Sequence, residues 1–192
     1  MASSYRKTLE DWLSKQEIKT NVLVDIGGSQ NSVTHRLKSC EYNKYLVADL
    51  ADPHQDSKKP DIEMDMNELY IGDDDIADVV FCLEVMEYVY MPHHALENIR
   101  HILKPGGVAY VTFPSFYPLH NPVQQDYLRY MPAAIKKYAE FVGLKIDEMI
   151  PRRPETNALQ QYYSLERLRA ARGEDHAFMG FIVKFSKITY LT

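Results

Sequence analysis

Three aspartates stand where short apolar runs of this sequence end, and carboxylates in such places can bind a ligand. Asp25 follows the run 22–24, Asp49 follows the run 46–48, and Asp65 follows a shorter run that begins at residue 62. Continuous apolar runs of this kind predict strands covered on both faces. Because strands of a doubly wound sheet bind ligands beyond their carboxyl ends, the three acids favour a small-molecule site.

The turn after Asp25 indicates which kind of ligand such a site prefers. Gly27 and Gly28 permit a sharp turn and leave room for a ligand against the backbone; Ser29 and a predicted helix over residues 32–38 follow. A carboxylate before this turn would repel the pyrophosphate of a dinucleotide, and the later glycines of the dinucleotide pattern are absent. The turn therefore favours a ligand that carries an ammonium or a sulfonium, with an ordinary strand-to-helix turn as the alternative.

The rest of the chain predicts the elements that would position these residues. Strands are expected at residues 45–49, 62–66, 76–83 and 108–113, with a helix at 92–103 that residues 104–107 end. A helix at 131–143 and strands at 144–150 and 178–188 follow. Strand, turn and helix alternate four times in this order, which predicts an α/β fold with a parallel sheet and helices on both faces.

In this order the segments resemble the class I S-adenosylmethionine-dependent methyltransferases. The resemblance covers residues 20–150 and rests on Val-Leu-Val-Asp25-Ile-Gly27-Gly28, Ala-Asp49, Met-Asp65-Met66, Cys82-Leu83-Glu84-Val-Met-Glu-Tyr88-Val and Leu103-Lys-Pro-Gly-Gly. It is closest to the small-molecule branch, which carries Glu-His-Val after strand four and Leu-Lys-Pro-Gly-Gly before strand five. The resemblance implies a doubly wound, Rossmann-like sheet of seven strands with helices on both faces and an antiparallel last strand.

The resemblance also implies S-adenosylmethionine as the cofactor and a role for each matching position. Residues on the glycine turn would surround its methionine end, and those at the second strand end would accept hydrogen bonds from the ribose hydroxyls. Residues after the third strand would contact the adenine, and those after the fourth would lie beside the transferable methyl. No metal is implied. The cofactor-binding positions are Asp25, Gly27, Gly28, Ser29, Asp49, Leu50, Asp65, Met66, Cys82 and Leu83.

Two departures from the family pattern lie in this region. The family's turn reads Gly-x-Gly-x-Gly, whereas Ser29, Gln30 and Asn31 follow Gly28 here, and Asn31 is expected to adopt the left-handed conformation of the last glycine. The family's histidine is Tyr88 in this chain, which keeps a hydroxyl but offers no base near neutral pH.

The segments around the core are expected to select the methyl acceptor. An amphipathic helix over residues 5–18 would cover the cofactor cleft or simply pack on the sheet, and acceptor-side insertions are expected at residues 114–131 and 151–175. His120 is the candidate general base, with a loop histidine that has no task as the alternative. Asp126, Tyr127 and Arg129 would shape the acceptor pocket or brace the loop on the following helix.

Length and composition fit one domain over residues 1–192, which the resemblance identifies as a methyltransferase domain. Residues 1–20 would form a leading helix, and residues 20–150 would form the cofactor-binding core. With 22 Lys and Arg against 27 Asp and Glu, the net charge is −5, and no basic stretch suggests a nucleic-acid partner. Cys40 and Cys82 stand alone, so neither a disulfide nor a metal site is expected. No apolar leader or membrane span is evident, which favours a cytoplasmic monomer or homodimer.

Together these observations predict methyl transfer from S-adenosylmethionine by in-line displacement to a small-molecule acceptor, such as a sugar or another hydroxylated metabolite. One alternative is a non-catalytic protein that keeps the fold for interaction or regulation, which the changed glycine turn and Tyr88 suggest. Another is a nucleic-acid or protein methyltransferase. The acidic net charge argues against this second alternative. So does the segment Cys82-Leu-Glu-Val, because amino-methylating enzymes carry an Asn/Asp-Pro-Pro-Tyr-like tetrapeptide at that place.

Overall fold

The computed structural model describes residues 4–53, 58–117, 119, 122–152 and 178–188. Short 3₁₀ turns lie at Val33–His35, Met86–Tyr88 and Val123–Gln125. The helices and strands within the described residues are, in chain order, α1 (Ser4–Leu13), β1 (Glu17–Ile26), β2 (Ser39–Asp49), β3 (Ile62–Glu63), β4 (Ala77–Cys82), α2 (Pro92–Ile102), β5 (Leu103–Pro114), α3 (Pro132–Val142), β6 (Leu144–Arg152) and β7 (Gly180–Lys187).

The strands form one seven-stranded sheet in the order β3-β2-β1-β4-β5-β7-β6. Pairs from β3 across to β5 are parallel, and β7 is antiparallel to both β5 and β6. This confirms the predicted doubly wound, Rossmann-like sheet with an antiparallel last strand. The strand order reverses between β1 and β4, so their carboxyl ends border the crevice in which such sheets bind ligands.

Two apolar clusters cover the two faces of this sheet. Side chains alternate between the faces along β4: Val79 and Phe81 join the cluster that contains α1, whereas Val80 and Cys82 join the cluster that contains α2 and α3. Helices on both faces are therefore confirmed. The face beneath α1 carries no other α-helix among the described residues. Val33 and Leu37, from the segment between β1 and β2, pack there together with α1.

The helix after β4 matches its prediction closely. α2 begins at Pro92, where a missing amide is tolerated, and buries Leu96, Ile99 and Ile102 on one face. It ends at Ile102 because Pro105 and the glycines after it cannot continue a helix. α2 thus packs against the sheet directly after the turn that follows β4.

The helix predicted for residues 32–38 is wrong, because only the 3₁₀ turn Val33–His35 forms there. The Val33 amide donates to the Asp25 carboxylate rather than starting a helix, and β2 already begins at Ser39, paired with Glu17. No α-helix joins β2 to β3 or β3 to β4 within the described residues. The fourfold alternation is therefore wrong as well: α2 and α3, after β4 and β5, are the helices that follow strands of this sheet.

The leading helix is shorter than predicted, since α1 ends at Leu13 and Ile18 already belongs to β1. Most of the insertion expected at 151–175 lies outside the described residues, as do its predicted helical middle and His120. In the part of the chain that is described, no helix is long and apolar enough to cross a membrane.

Candidate active site

The sheet brings the three predicted aspartates to one edge. The Gly27 amide donates to the Ala48 carbonyl across 2.8 Å, so the turn after Asp25 lies beside the end of β2. β3 pairs with β2 as far as Asp49, which places Asp65 next along the same edge. The edge thus carries three acids in a row, beside the crevice between β1 and β4.

Asp25 is buried, and its carboxylate holds the turn in place. Its Oδ2 accepts a hydrogen bond from the Val33 amide at 2.8 Å and one from the Tyr45 hydroxyl at 2.7 Å. Burial raises the pKa of Asp25 to about 6, although these hydrogen bonds and the nearby Arg36 act to lower it. Asp25 therefore ties the turn to β2 and puts a negative charge beneath it at neutral pH.

Both glycines of the turn are required by the protein's own packing. Gly27 has φ +78°, and a Cβ added there would lie 2.5 Å from Cγ2 of Val85. A Cβ on Gly28 would lie 2.5 Å from Oδ2 of Asp25, so the carboxylate fills the space that was expected for a ligand. Gly27 is exposed and keeps a bare backbone towards solvent. The left-handed conformation predicted for Asn31 is wrong, since Gly27 is the left-handed residue of this turn.

Asp49 and Ser29 present unused polar atoms beside that backbone. Oδ1 of Asp49 accepts from the Leu50 amide at 2.9 Å, and Oδ2 accepts from the Ser29 amide at a longer 3.3 Å. Each carboxylate oxygen has two lone pairs, so both can accept further hydrogen bonds. The Ser29 hydroxyl is buried and has no hydrogen-bond partner. The side chain of Leu50 is half exposed at the same strand end.

Asp65 is the most accessible of the three acids. Its Oδ1 accepts from the backbone amide of Asn67 at 2.8 Å and from the Asn67 side chain at 3.2 Å. It also lines a cavity of about 370 Å³, together with Leu69 and Tyr70. Met66 beside it is buried in the core, so its side chain is not open to a ligand, in contrast to the prediction that it would lie against the adenine. Glu63 and Glu68 line the same cavity, so its wall combines apolar side chains with three acidic residues and suits a flat ring that carries an amino group.

The end of β4 closes the crevice from the other side. Burial raises the pKa of the Cys82 thiol, and the charges of Glu87 and Asp25 raise it further. After Leu83 the chain turns through Glu84, whose φ of +58° is uncommon for a residue with a side chain. The Glu84 amide donates to Oγ1 of Thr112 at 2.7 Å, and this bond holds the turn against β5.

A group of charged side chains that sequence reasoning missed lies directly after this turn. Arg152 at the end of β6 is fully buried and donates from Nη1 to Oε1 of Glu84 at 2.5 Å. Glu87 is also buried, and burial, followed by the charge of Glu84, raises its pKa to about 8 while Arg152 acts in the opposite direction. Glu84 and Glu87 stood in a recognised segment, but nothing in their spacing indicated burial, and Arg152 carried no sequence signal.

The loop after β5 packs against the same turn. The Tyr127 amide donates to the Glu87 carbonyl at 2.8 Å, and the Tyr130 hydroxyl donates to the Met86 carbonyl at 3.0 Å. Arg129 pairs with the buried carboxylate of Asp126, a contact within the loop itself rather than with the following helix α3. His120 lies outside the described residues, so its distance from this group is not defined.

The edge therefore offers acceptors for two hydroxyls, a carboxylate for an amino group, and a buried negative charge under a bare glycine backbone. Among the described residues, no three His, Cys, Asp or Glu side chains are placed to hold a metal ion. The arrangement suits a nucleoside ligand with a cationic end rather than a metal centre.

Comparisons with known proteins agree with this geometry. Residues 24–111 match the family described as "Methyltransferase domain". No curated protein matches the chain.

Solved structures of similar fold cover nearly the whole chain at low sequence identity. A chain from the complex between the Haloferax volcanii Trm112 methyltransferase activator and a methyltransferase is 19% identical with a TM-score of 0.63, over 97% of this chain and 90% of that one. An S-adenosylmethionine-dependent methyltransferase from Mesorhizobium loti is 15% identical with a TM-score of 0.61, over 97% and 99%. The Burkholderia thailandensis 1,6-didemethyltoxoflavin-N1-methyltransferase, solved with 1,6-didemethyltoxoflavin and S-adenosylhomocysteine, is 11% identical with a TM-score of 0.61, over 97% and 79%.

Proposed function

We propose that this chain uses S-adenosylmethionine to methylate a small hydroxylated acceptor such as a sugar. The match of residues 24–111 to the family described as "Methyltransferase domain" supports the methyl-transfer chemistry. The observation that carries the proposal is the edge itself. There an exposed Gly27 backbone, a buried unpartnered Ser29 hydroxyl and the open lone pairs of Asp49 lie together.

These residues fit the cofactor group by group. Asp49 would accept from the two ribose hydroxyls, and Asp65, whose Oδ2 accepts no hydrogen bond within the described residues, would accept from the adenine amino group. The buried Ser29 hydroxyl would gain the partner it lacks. Asp25 would act through its charge under the turn, since its carboxylate is buried and hydrogen-bonded within the protein.

The acceptor would lie between the turn after β4 and the loop after β5. Exposed aromatic side chains lie on that loop, Phe116 packed on Phe178 and Tyr127 on Tyr90. The Tyr127 amide donates to the Glu87 carbonyl, which joins the loop to the turn that carries Glu84 and Glu87. Aromatic faces with a few polar acceptors suit a small polyol or ring.

The bound cofactor supplies an electrophilic methyl on a sulfonium, so the protein's task is alignment and removal of a proton. Alignment of two bound reactants can supply roughly 7–11 kcal/mol. We propose His120 as one candidate for the proton acceptor. A His120→Ala variant is expected to keep its cofactor affinity and lose turnover. Unchanged turnover would show that His120 is not the proton acceptor. A loss of cofactor affinity would place His120 in the cofactor subsite instead of the acceptor subsite.

The proposed function is tested by calorimetric titration with S-adenosylmethionine, S-adenosylhomocysteine and, as the control, NAD. Binding of the first two and not of NAD supports it. A deproteinised metabolite extract with methyl-labelled S-adenosylmethionine then identifies the acceptor by the label it gains. A parallel reaction with an untreated cell lysate tests macromolecular acceptors, and labelling of protein or nucleic acid there would favour a nucleic-acid or protein methyltransferase. Cofactor binding without labelling in either reaction would favour the non-catalytic alternative.

We also propose a cytoplasmic location and a monomeric or homodimeric state. Cys40 and Cys82 are free thiols in the structure, which fits a reducing compartment. Light scattering on the purified protein would test the oligomeric state, and a stable higher oligomer would contradict it.

A further inference from the structure

Glu87 is a buried acid to which the cofactor site gives no task. Its side chain is only 4% exposed. The acids beside it are engaged by arginines, Glu84 by Arg152 and Asp126 by Arg129. Within the described residues, no side chain forms an ion pair or a hydrogen bond with the Glu87 carboxyl. The backbone amide of Glu87 itself donates a hydrogen bond to this carboxyl. A buried carboxyl without a cationic partner is still costly to the fold when it ionises, and groups of this kind concentrate at functional sites.

The surrounding contacts fix where this carboxyl lies. The charges of Glu87 and Asp25 both raise the pKa of the Cys82 thiol, so both carboxyls lie near the end of β4. The backbone around Glu87 is held by the Tyr127 amide on its own carbonyl and by the Tyr130 hydroxyl on the Met86 carbonyl. The backbone of Glu87 is therefore fixed directly after β4, against the loop that follows β5. The end of β4 is the strand end that would lie beside the transferable methyl.

We propose that the Glu87 carboxylate lines the acceptor subsite and takes the proton of the acceptor's hydroxyl during methyl transfer. The acceptor oxygen forms its bond to the methyl carbon, the carbon–sulfur bond breaks with its electron pair on sulfur, and the O–H proton passes to a carboxylate oxygen of Glu87. This inference rests on the proposed function, and it places a proton acceptor on a rigid turn.

The charges around Glu87 set the pH range in which it can act. Burial and Glu84 raise its pKa to about 8, Asp126 also raises it, and Arg152 lowers it. The other titratable groups that Glu87 faces are Tyr88, Tyr130 and Cys82, and the pKa of each is raised above its ordinary value. The carboxylate form therefore grows between about pH 7 and 9, whereas a histidine base with its ordinary pKa would become active near 6.5.

Binding measurements test this placement without an acceptor. S-adenosylmethionine carries a permanent sulfonium charge that S-adenosylhomocysteine lacks, so their affinity ratio reports negative charge near the methyl. We expect the preference for S-adenosylmethionine to rise about tenfold from pH 6.5 to 9. Asp25, with a pKa of about 6, is already about three-quarters ionised at pH 6.5, so its own titration adds little to the rise. Glu87→Gln should abolish the rise, and Glu140→Gln, which removes an exposed carboxylate of α3, should preserve it.

A second measurement uses the unmodified protein, in case Glu87→Gln does not fold. At pH 8, binding of S-adenosylmethionine should release protons, measured by calorimetry in two buffers of different ionisation enthalpy, and S-adenosylhomocysteine should release fewer. Equal proton release by both ligands, or a pH-dependent preference that survives Glu87→Gln, would overturn the inference about Glu87. Failure of both ligands to bind would instead overturn the proposed function.

Turnover provides the last test, with the labelled metabolite extract as the source of acceptor. The rate should rise through about pH 8 in the unmodified protein and be lost in Glu87→Gln, while cofactor affinity at pH 6.5 is kept. Partial recovery in Glu87→Asp would support proton transfer over a purely structural role. A rate that rises near pH 6.5 and survives Glu87→Gln would refute the role of Glu87 and favour His120.

Discussion

Replacing Asp25 with asparagine separates what this carboxylate does for the fold from what it does for the ligand. Folding raises the pKa of Asp25 from 3.8 to about 6, mainly through burial. The protonated form is therefore favoured in the folded protein, and stability is lost as the pH rises from about 4 through 6. At 1.36 kcal/mol per pKa unit, the ionised carboxylate lowers the free energy of unfolding by about 3 kcal/mol at pH 7.5.

Asparagine removes that charge while keeping the contacts. Its side-chain oxygen can accept from the Val33 amide and the Tyr45 hydroxyl, as Oδ2 of Asp25 does. At pH 4.5 Asp25 is mostly protonated in the folded protein. The raised pKa then lowers the free energy of unfolding by about 1 kcal/mol instead of about 3 kcal/mol. The stability of Asp25→Asn relative to the unmodified protein should thus rise by about 2 kcal/mol between pH 4.5 and 7.5.

Urea denaturation of both proteins at the two pH values measures this difference, because all other titrating groups are common to them. Asp61→Asn is the matched control: Asp61 also accepts a strand amide, from Val47 at 2.9 Å, but is exposed and lacks the burial that causes the effect. The same Asp25 variant should bind S-adenosylmethionine more weakly, since the negative charge under the turn is gone. A stability difference that is equal at both pH values would refute the reasoning.

Two further predictions concern the turn and the strand end beside it. Gly27→Ala should lower the free energy of unfolding more than Gly106→Ala: both glycines have φ +78° and share a strain of roughly 1–2 kcal/mol, but only at Gly27 would the new Cβ meet Val85. Urea denaturation should show this excess vanish in a Val85→Ala background, and an excess that persists would contradict the contact. Asp49→Ala should weaken S-adenosylmethionine binding by roughly 1.5–3 kcal/mol, the range for hydrogen bonds to a charged group. Calorimetry tests this, with Asp52→Ala as the exposed control. Equal losses of affinity in the two variants would show that Asp49 does not bind the ribose.

The strands were predictable because local composition determines them. β4 at Ala77–Cys82 lies within the predicted 76–83, and α2 at Pro92–Ile102 differs from its prediction by one residue, since proline and glycine mark its boundaries. The helix over 32–38 was not predictable, because the contacts that prevent it come from elsewhere in the chain. The Val33 amide is taken by Asp25, and the Lys38 amide by the Gln16 carbonyl.

The same contrast applies to the site. Asp25, Asp49 and Asp65 could be found because each follows a recognisable strand, and parallel topology then brings strand ends together. Glu87 and Arg152 could not be identified from the sequence, because the burial of a charged side chain depends on which loops cover it in the fold. The sequence also did not reveal why residue 28 must be glycine. A Cβ at this position would collide with the Asp25 carboxylate, and this contact is visible only in the structure.

The helix α1 and the strand β7, far apart in the chain, share one apolar cluster. Leu9 and Leu13 of α1 lie in it with Ile182 of β7, and so do Val33 and Leu83 from the two sides of the crevice. Loss of either α1 or β7 would expose the apolar surface of the other. Amide hydrogens in both segments should therefore exchange with solvent through one shared opening reaction, with a common dependence on denaturant. A ligand that closes the crevice would then slow exchange in segments that it never touches.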